Sequence, residues 1–248
     1  MRIPKSISSL LLLGYIVSLL NPAKAQVRTG DADSTLIPYS RTTPKTILRL
    51  MPRGARSLFW GKFTPVKNTQ LGVHIFSPKR KLKSTFEGRK TYLHFYEINL
   101  FQLSRGVFKK ISHVALTWTL YDNGFDYEYK YASKLHWMWL NKEKKEVPII
   151  TFDYFTSDTE AGFPNGDGTF LVFDSTWKQG KAAGNSGFGW TGGAGSQWGY
   201  KLARDEQGQL IVLNHESSME GSSDWSDFYD PEKKEFIKGT VTNYPRVQ

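Results

Sequence analysis

The 248-residue sequence predicts an all-β protein built from antiparallel hairpins, arranged as a sandwich, a barrel or a small propeller-like domain. Segments such as "SLFWGKF", "LGVHIFS" and "KTYLHFYEINL" are rich in β-branched and aromatic residues and are bounded by turn formers. Turn signals recur at short intervals, and the apolar residues show no helical period of about 3.6. The intervals are not constant, which argues against a repeat protein.

The first 25 residues have the pattern of a secretory signal peptide. Arg2 and Lys5 precede an apolar run at 7–20, and Ala-Lys-Ala at 23–25 is a small-x-small cleavage site. The apolar run is short for a membrane span, and no later stretch is apolar enough for a transmembrane helix. We therefore expect a periplasmic or secreted protein whose mature chain begins at Gln26.

Charge is distributed unevenly along the mature chain. Residues 26–113 contain 17 Lys/Arg and 4 Asp/Glu, whereas residues 114–248 contain 13 Lys/Arg and 19 Asp/Glu. A strongly basic half is typical of proteins that contact polyanions. Because an exported protein does not meet nucleic acid, the expected partner is a glycan or an anionic component of the cell envelope. There is no cysteine, so the fold must be stable without disulfides.

Two regions are expected after the signal peptide. Residues 26–56 include "RTGDADST" and the proline-containing "TTPKTILRLMPRG", and their lack of periodicity predicts a flexible basic arm. Residues 57–248 are expected to form a single all-β domain, because the charge boundary near residue 113 lies inside a strand-like segment where a linker is implausible.

Asn123-Gly124 is the strongest turn signal in the chain. This pair is preferred in two-residue type I′ turns, where both central residues have positive φ. With this turn as the loop, Leu116, Trp118 and Leu120 would face Tyr131, Tyr129 and Tyr127 on one apolar face. Further turns are expected at 141–146, 207–208 and 230–231, and "NGDGTFLVFD" is expected to turn into another strand.

A basic segment at 77–90 is expected to be a solvated hairpin tip that binds polyanions. It contains six Lys/Arg and one Glu. The residues expected to contribute most are Lys79, Arg80, Lys81 and Lys83. Exposed cations of this kind attract anionic surfaces in a manner that salt screens.

The segment "NSGFGWTGGAGSQWGY", residues 185–200, combines six glycines with four aromatic residues. We expect an ordered surface loop in which glycines form turns and at least one ring, that of Trp190 or Trp198, is exposed to a sugar. The candidate ligand-binding residues are Trp177, Trp190, Trp198, Asp167, Asp174 and Glu216. In the alternative interpretation, these rings fold back and cap one end of the sheet.

No catalytic residue, metal site or cofactor is predicted. "GNSG" at 184–187 is similar to the nucleophile loop of trypsin-like serine proteases, but the flanking residues differ and Ser186 is better explained as a turn residue. The histidines at 74, 94 and 136 lie in strand-like segments without metal spacing. "NGDGT" lacks the alternating acidic spacing of a calcium loop.

These observations predict an exported, non-enzymatic binding or structural module of the cell envelope that contacts glycans or anionic surfaces. The main alternative is a glycan-active hydrolase that uses a carboxylate pair from the acidic stretches at 146–177 or 205–232. A trypsin-like serine protease is the second alternative. The sequence leaves the ligand unidentified.

Overall fold

The computed structural model of the protein describes residues 33–78, 81–86, 89–121, 129–157, 164–191 and 196–245. Over these residues the chain is almost entirely antiparallel β-structure in two sheets, and neither sheet closes into a barrel. The predicted all-β class is therefore confirmed. In the part of the chain described, no helix has the length and apolar character needed to cross a membrane.

The first sheet contains five strands in the order β2-β3-β5-β4, with β6 on the other side of β5. The strands are β2 (Arg56–Val66), β3 (Thr69–Ser77), β4 (Lys81–Phe86), β5 (Arg89–Ser104) and β6 (Val107–Tyr121). β3 and β4 pair with successive parts of the same edge of the long strand β5.

The second sheet contains ten strands in the order β1-β7-β8-β9-β10-β11-β12-β13-β14, and β15 also pairs with β13. The strands are β1 (Thr35–Ile37), β7 (Tyr129–Asn141), β8 (Glu146–Ser157), β9 (Pro164–Phe173), β10 (Gly180–Thr191), β11 (Ser196–Arg204), β12 (Leu210–Ser217), β13 (Gly221–Asp230), β14 (Glu235–Lys238) and β15 (Thr242–Pro245). Apart from β1 and β15, neighbours in space are neighbours in sequence, so the sheet grows as a series of hairpins.

Three of the expected hairpin turns are confirmed. β7 and β8 meet at 141–146, β11 and β12 at 205–209, and β13 and β14 at 231–234. "NGDG" at 165–168 is not a turn, because these residues lie within β9 and pair with β8. A two-residue turn with positive φ at both positions occurs at Arg105 (φ 51°) and Gly106 (φ 77°), between β5 and β6.

The predicted ladder between 116–120 and 127–131 is wrong over the described residues. β6 pairs with β5 in the first sheet, whereas β7 pairs with β8 and β1 in the second sheet. Asn123-Gly124 itself lies outside the described residues. The tight turn at Arg105-Gly106 brings β5 along the whole of β6, so β5 is the strand that pairs with β6 in place of the predicted β7.

The main core lies between the two sheets. It contains Val73, Ile75 and Ile98 from the first sheet and Ile150 and Leu171 from the second, all of them at most 1% exposed. Side chains alternate along each of these strands, so every second residue enters this core. Because β7, β8 and β9 also bury their other face, the middle of the second sheet lies inside the molecule.

A second core forms because the second sheet bends back on itself. Residues of β8 and β9, such as Ile149 and Phe170, pack against Leu202 of β11 and Val212 of β12. At the end of the bend, β14 returns to β9: the ring centroids of Phe170 and Phe236 are 5.2 Å apart. Strands β10–β14 thus enclose a concave face, which the second core fills at one end.

A third, smaller core covers the outer face of the first sheet. Trp60 is 1% exposed and makes edge contacts with Phe101 and Phe108. A one-turn helix, α1 (Lys45–Leu48), contributes Ile47 to this core. A Cβ atom at Gly72 would overlap the Trp60 ring, so only glycine allows the indole to lie flat on β3.

The prediction of a flexible arm is wrong from residue 33 onward, because this segment packs on both sheets. β1 pairs with β7, and its Ile37 is fully buried in the main core. Arg204 holds the same region: its guanidinium donates to the carbonyls of Leu140 (2.6 Å) and Trp139 (2.7 Å) and to the carboxylate of Asp33 (3.1 Å). Residues 26–32 lie outside the described residues.

Candidate functional site

An open cleft of about 660 Å³ lies on the concave face of β10–β14. Its walls come from residues 184–187 of β10 and from 198–199, 214–216 and 225–227 on the next three strands, and Phe236 and Lys238 of β14 complete it. The cleft begins where the second core ends. It is the part of the concave face that the protein's own apolar side chains leave unfilled.

Strand register determines which side chains enter the cleft. Asn214 lies opposite both Tyr200 and Trp225, and Glu216 lies opposite Trp198. Residues that pair directly across an antiparallel ladder point to the same face of the sheet. These five side chains therefore share one face with Leu202 and Val212, which are fully buried further along the same strands.

The face changes from apolar to polar along the strands. Leu202 and Val212 are fully buried, and Tyr200 and Asn214 are still 3% and 6% exposed. One position further out, Trp198 and Trp225 are half-buried and Glu216 is exposed. The outer part of the concave face thus presents two indole rings to solvent above a closed base.

Asp227 lies beside Trp225 on the same face of β13, because the two residues are two positions apart. One carboxylate oxygen accepts a hydrogen bond from the Asn214 amide at 2.9 Å. The other oxygen, Oδ1, is buried and has no hydrogen-bond partner. Burial raises the pKa of the Asp227 carboxyl above its usual range, although the Asn214 amide, the charge of Lys238 and the nearby indole N–H of Trp225 act in the opposite direction.

Lys238 places its ammonium over the ring of Trp225, with Nζ 4.1 Å from the ring centroid. It is also opposite Asp227 in the register of β13 and β14. This cation–π contact covers one face of Trp225. By contrast, Trp198 and Glu216 have no ring contact, ion pair or hydrogen bond from their side chains within the described residues.

The segment 185–200 is a β-hairpin and not the predicted surface loop. Residues 185–191 complete β10 and residues 196–200 begin β11, and 192–195 lie outside the described residues. Two glycines have specific roles nearby. Gly184, with φ +152°, follows a bulge in β10, and a Cβ atom at Gly168 would overlap the Tyr200 ring. Glycine here permits close packing of strands rather than free turns.

A smaller cavity of about 430 Å³ lies on the other side of Gly184, between β10 and β6. It shares Gly184, Asn185 and Phe236 with the cleft. The hydroxyl of Thr169 lines this cavity and is buried without a hydrogen-bond partner.

The predicted ligand-binding residues do not all come together. Trp198 and Glu216 line the cleft. Trp177 does not line the cleft. It is 4% exposed and packs in the main core against Phe63 and Phe173, so its role is structural packing. The interpretation that rings fold back into the core is therefore correct for Trp177.

Asp174 organises a turn and lies outside the cleft. Its Oδ1 accepts hydrogen bonds from the backbone N–H groups of Lys178 (2.8 Å) and Gln179 (3.3 Å), and its carboxylate also accepts from the Thr176 hydroxyl. The backbones of Asp167 and Trp190 lie in β9 and β10, and their side chains are outside the described residues.

The polyanion-binding prediction falls largely outside the described residues. Lys79 and Arg80 are not described, and Lys81 and Lys83 are described only by their backbone in β4. β4 pairs with β5 through Phe86 and Arg89, so the basic segment does form a hairpin.

The interpretation of Ser186 as a turn residue is wrong, because it lies in β10 and is 5% exposed. The register places His215 and Asp224 on the convex face, opposite the face of Asn214. Their side chains bond to each other there at 2.5 Å. A Ser-His-Asp arrangement is therefore not assembled with Ser186, whose side chain points to the concave face.

Among the described residues, no group of three acidic or histidine side chains is placed to hold a metal ion.

Sequence reasoning missed four cleft residues: Asn214, Trp225, Asp227 and Lys238. Trp225 and Asp227 could have been found from the period-two pattern of "SDWSDFYD", which puts them on one face of a strand. Asn214 and Lys238 join them only through the pairing of three strands, which the pattern of one strand does not contain.

Comparison of the chain with protein-family models, with curated proteins and with solved structures finds no match.

Proposed function

We propose that this protein is a non-enzymatic binding module that holds a glycan in the cleft of β10–β14. The observation that supports the proposal most strongly is the pair of half-buried rings, Trp198 and Trp225, at the open end of an otherwise filled concave face. Indole rings stack on the apolar faces of sugars, and the polar groups beside them can bond to hydroxyls.

The polar groups of the cleft suit hydroxyl recognition. The carboxylate of Asp227 and the amide of Asn214 line the cleft side by side, and the hydroxyls of a ligand can bond to such polar groups. Asn214 is fixed by its bond to the same carboxylate, so its orientation is set before a ligand arrives. A cleft of about 660 Å³ has the size of a site for a small oligosaccharide.

Binding is favoured over hydrolysis by the positions of the two carboxylates. In the β12–β13 register, Asp227 lies opposite Val212, which is four residues from Glu216. At about 3.3 Å per residue, this separates the two backbones by about 13 Å along the strands. Glycosidases hold their two carboxyl groups about 5–10 Å apart. Glu216 and Asp227 therefore fit the alternative of a carboxylate-dependent hydrolase poorly.

Location outside the cytoplasm is part of the proposal. The signal-peptide pattern of the first 25 residues supports export, where envelope and extracellular glycans are the abundant polymers. The chain has no cysteine, and its two large hydrophobic cores stabilise the domain without disulfides.

The experiment is a titration of the purified protein with a panel of neutral and charged oligosaccharides, followed by intrinsic fluorescence and by calorimetry. We expect binding by the wild-type protein and a loss of about two- to tenfold in Trp198→Ala, since aromatic stacking contributes about 0.5–1.5 kcal/mol. The oligosaccharides should be recovered intact.

Phe228→Ala is the matched control. Phe228 is a 49% exposed aromatic residue on the convex face of β13, so its removal should leave binding unchanged. If the wild-type protein shows neither a fluorescence change nor a heat of binding with any oligosaccharide of the panel, the proposal is contradicted. Turnover of an oligosaccharide that Glu216→Gln abolishes would favour the hydrolase instead.

A further inference from the structure

The cleft contains the same chemical pair twice: an indole ring beside a carboxylate. Trp225 and Asp227 are two residues apart on β13, and Trp198 and Glu216 are directly opposite on β11 and β12. All four side chains lie on the concave face, and all four residues line the cleft. Directly opposed residues of an antiparallel pair have Cβ atoms about 5 Å apart, within reach of one bound group.

One of the two pairs is already occupied by a primary ammonium. Lys238 extends from β14 and places Nζ 4.1 Å from the Trp225 ring centroid, next to its register partner Asp227. Aromatic rings attract cations through the negative charge of their faces, and the charge of Asp227 attracts the same ammonium. The protein's own lysine thus shows which chemical group this arrangement accepts.

The other pair holds no cation among the described residues. Trp198 is half-buried and Glu216 is exposed, and Lys238 is already engaged on the neighbouring ring. Across β11–β12 on the concave face, the neighbours of Glu216 are Trp198, Tyr200 and Asn214, none of which is positively charged. The negative charge of Glu216 therefore faces the open cleft uncompensated.

We infer that the Trp198–Glu216 pair is a binding site for an ammonium group, and that the preferred ligand of the cleft is a glycan with free amino groups. This inference rests on the proposed glycan-binding function and specifies its ligand class. The sugar face stacks on the indole of Trp198, and the amine at the edge of the ring pairs with the carboxylate of Glu216.

The charges in the cleft agree with this preference. Among the residues that line the cleft, Glu216 and Asp227 are acidic and Lys238 is basic, and His215 is bonded to Asp224 on the convex face, so an anionic sugar would meet net repulsion. Asp227 and Lys238 largely offset each other because they are register partners. The described residues of the basic segment, 81–86 and 89–90, lie in the first sheet, so polyanion binding there would be separate from the cleft.

Glucosamine oligomers and N-acetylglucosamine oligomers of equal length are the probes, because they differ only in the group on the C2 nitrogen, which is a cationic amine in the first and a neutral acetamide in the second. At a pH where the amine is protonated, the wild-type protein should bind the glucosamine oligomer about tenfold more tightly. Raising the salt concentration should reduce this ratio, because the Glu216 pair is exposed to solvent.

Glu216→Gln is the decisive variant, with Glu220→Gln as its matched control. Glu220 is an exposed acid in the turn between β12 and β13 and does not line the cleft. Glu216→Gln should bring the two oligomers to equal affinity while keeping N-acetylglucosamine binding, and Glu220→Gln should keep the preference.

The outcomes separate the two proposals. If the acetylated oligomer binds and the free amine brings no gain, or if Glu216→Gln leaves the gain intact, the ammonium site is overturned and the glycan function stands. If neither oligomer nor any other glycan binds, both proposals are overturned. A Lys238→Met variant should bind the amine more tightly than wild type, because it frees the Trp225–Asp227 pair.

Discussion

Two tryptophans of this protein each lie beside a partly or fully buried titratable side chain, but they differ in what covers the indole ring. Trp60 on the outer face of the first sheet has His74 next to it across the strands, and Trp225 on the concave face of the second sheet has Asp227 two residues along. In both places burial favours the neutral form of the titratable group, so it lowers the pKa of His74 and raises the pKa of Asp227. Only the layer above the ring differs.

Trp60 is covered completely, by Phe101, Phe108 and Ile47 of the short helix α1. Trp225 has one flexible lysine side chain over its ring, and the neighbouring Trp198 has no ring or cation contact among the described residues. The comparison teaches that tryptophan content says little about function in a β-protein. What decides the role of a ring is whether another element of the fold closes over its face.

The largest expected difference between the two regions concerns stability. Trp60→Ala should lower the free energy of unfolding by about 3–5 kcal/mol, because it empties a site that is 1% exposed. Trp198→Ala should lower it by less than about 1 kcal/mol, since the ring is half-buried beside a cleft. Urea denaturation of both variants measures the difference. Similar losses in the two variants would mean that Trp198 is a core residue.

The pH dependence of stability is a second difference. Burial lowers the pKa of His74 to about 4 from 6.5. The unfolded chain therefore takes up a proton that the folded protein resists, and stability that is complete above pH 6.5 is lost as the pH falls to about 4. The shift corresponds to about 3 kcal/mol.

His74→Gln should flatten this dependence between pH 6.5 and 4, as followed by thermal unfolding at several pH values. His113→Gln is the control, because His113 is an exposed histidine on the same sheet. A pH dependence that persists unchanged in His74→Gln would assign the effect to other groups.

The sequence predicted the elements of the fold better than their assembly. Period-two patterns and charged turns located the hairpins at 141–146, 205–209 and 231–234 because both signals are local. Asn123-Gly124 gave a plausible ladder between β6 and β7, but the choice of β5 as the partner of β6 depends on packing between distant segments. The residue pattern of β6 is compatible with pairing to either β5 or β7, so the pattern alone cannot decide between these two strands.

The candidate site was predicted only in part for the same reason. Trp198 and Glu216 were identified from composition, and the structure makes them cross-strand neighbours. Trp177 was grouped with them because it lies in polar sequence, yet its positive φ of 61° in a turn directs the ring into the main core. The direction of a side chain at the end of a strand is a tertiary property that flanking residues do not reveal.

Glycine substitutions in tight turns should cost the same stability in the two sheets, whereas tryptophan substitutions on the faces of the sheets should not. Gly106 in the first sheet and Gly208 in the second have φ of 77° and 71°. Neither has a close neighbour that an added Cβ would strike. Alanine at either position should therefore lower stability by about 1 kcal/mol, the cost of positive φ alone. Unequal losses in thermal melts would show that one of these turns is further constrained.

The smallest expected effect is that of Asp227→Asn. Because the folded protein raises the pKa of this carboxyl, folding is favoured below the unfolded value of 3.8, and the advantage is lost as the pH rises through the folded value. Asparagine removes the charge, so the variant should melt slightly above wild type at neutral pH and equal it in acid. A variant that melts lower at neutral pH would indicate that the charge attraction of Lys238 outweighs burial.

The central claim is that the cleft, and not the other aromatic clusters, receives the ligand. The most direct measurement is the indole N–H spectrum of protein labelled with ¹⁵N at its 8 tryptophans, recorded during titration with glucosamine oligomers. Resonances can be assigned with single Trp→Phe variants. The account predicts that the Trp198 and Trp225 signals shift while those of Trp60 and Trp177 stay in place. A spectrum in which Trp198 and Trp225 do not respond, or in which the buried rings respond instead, would contradict it.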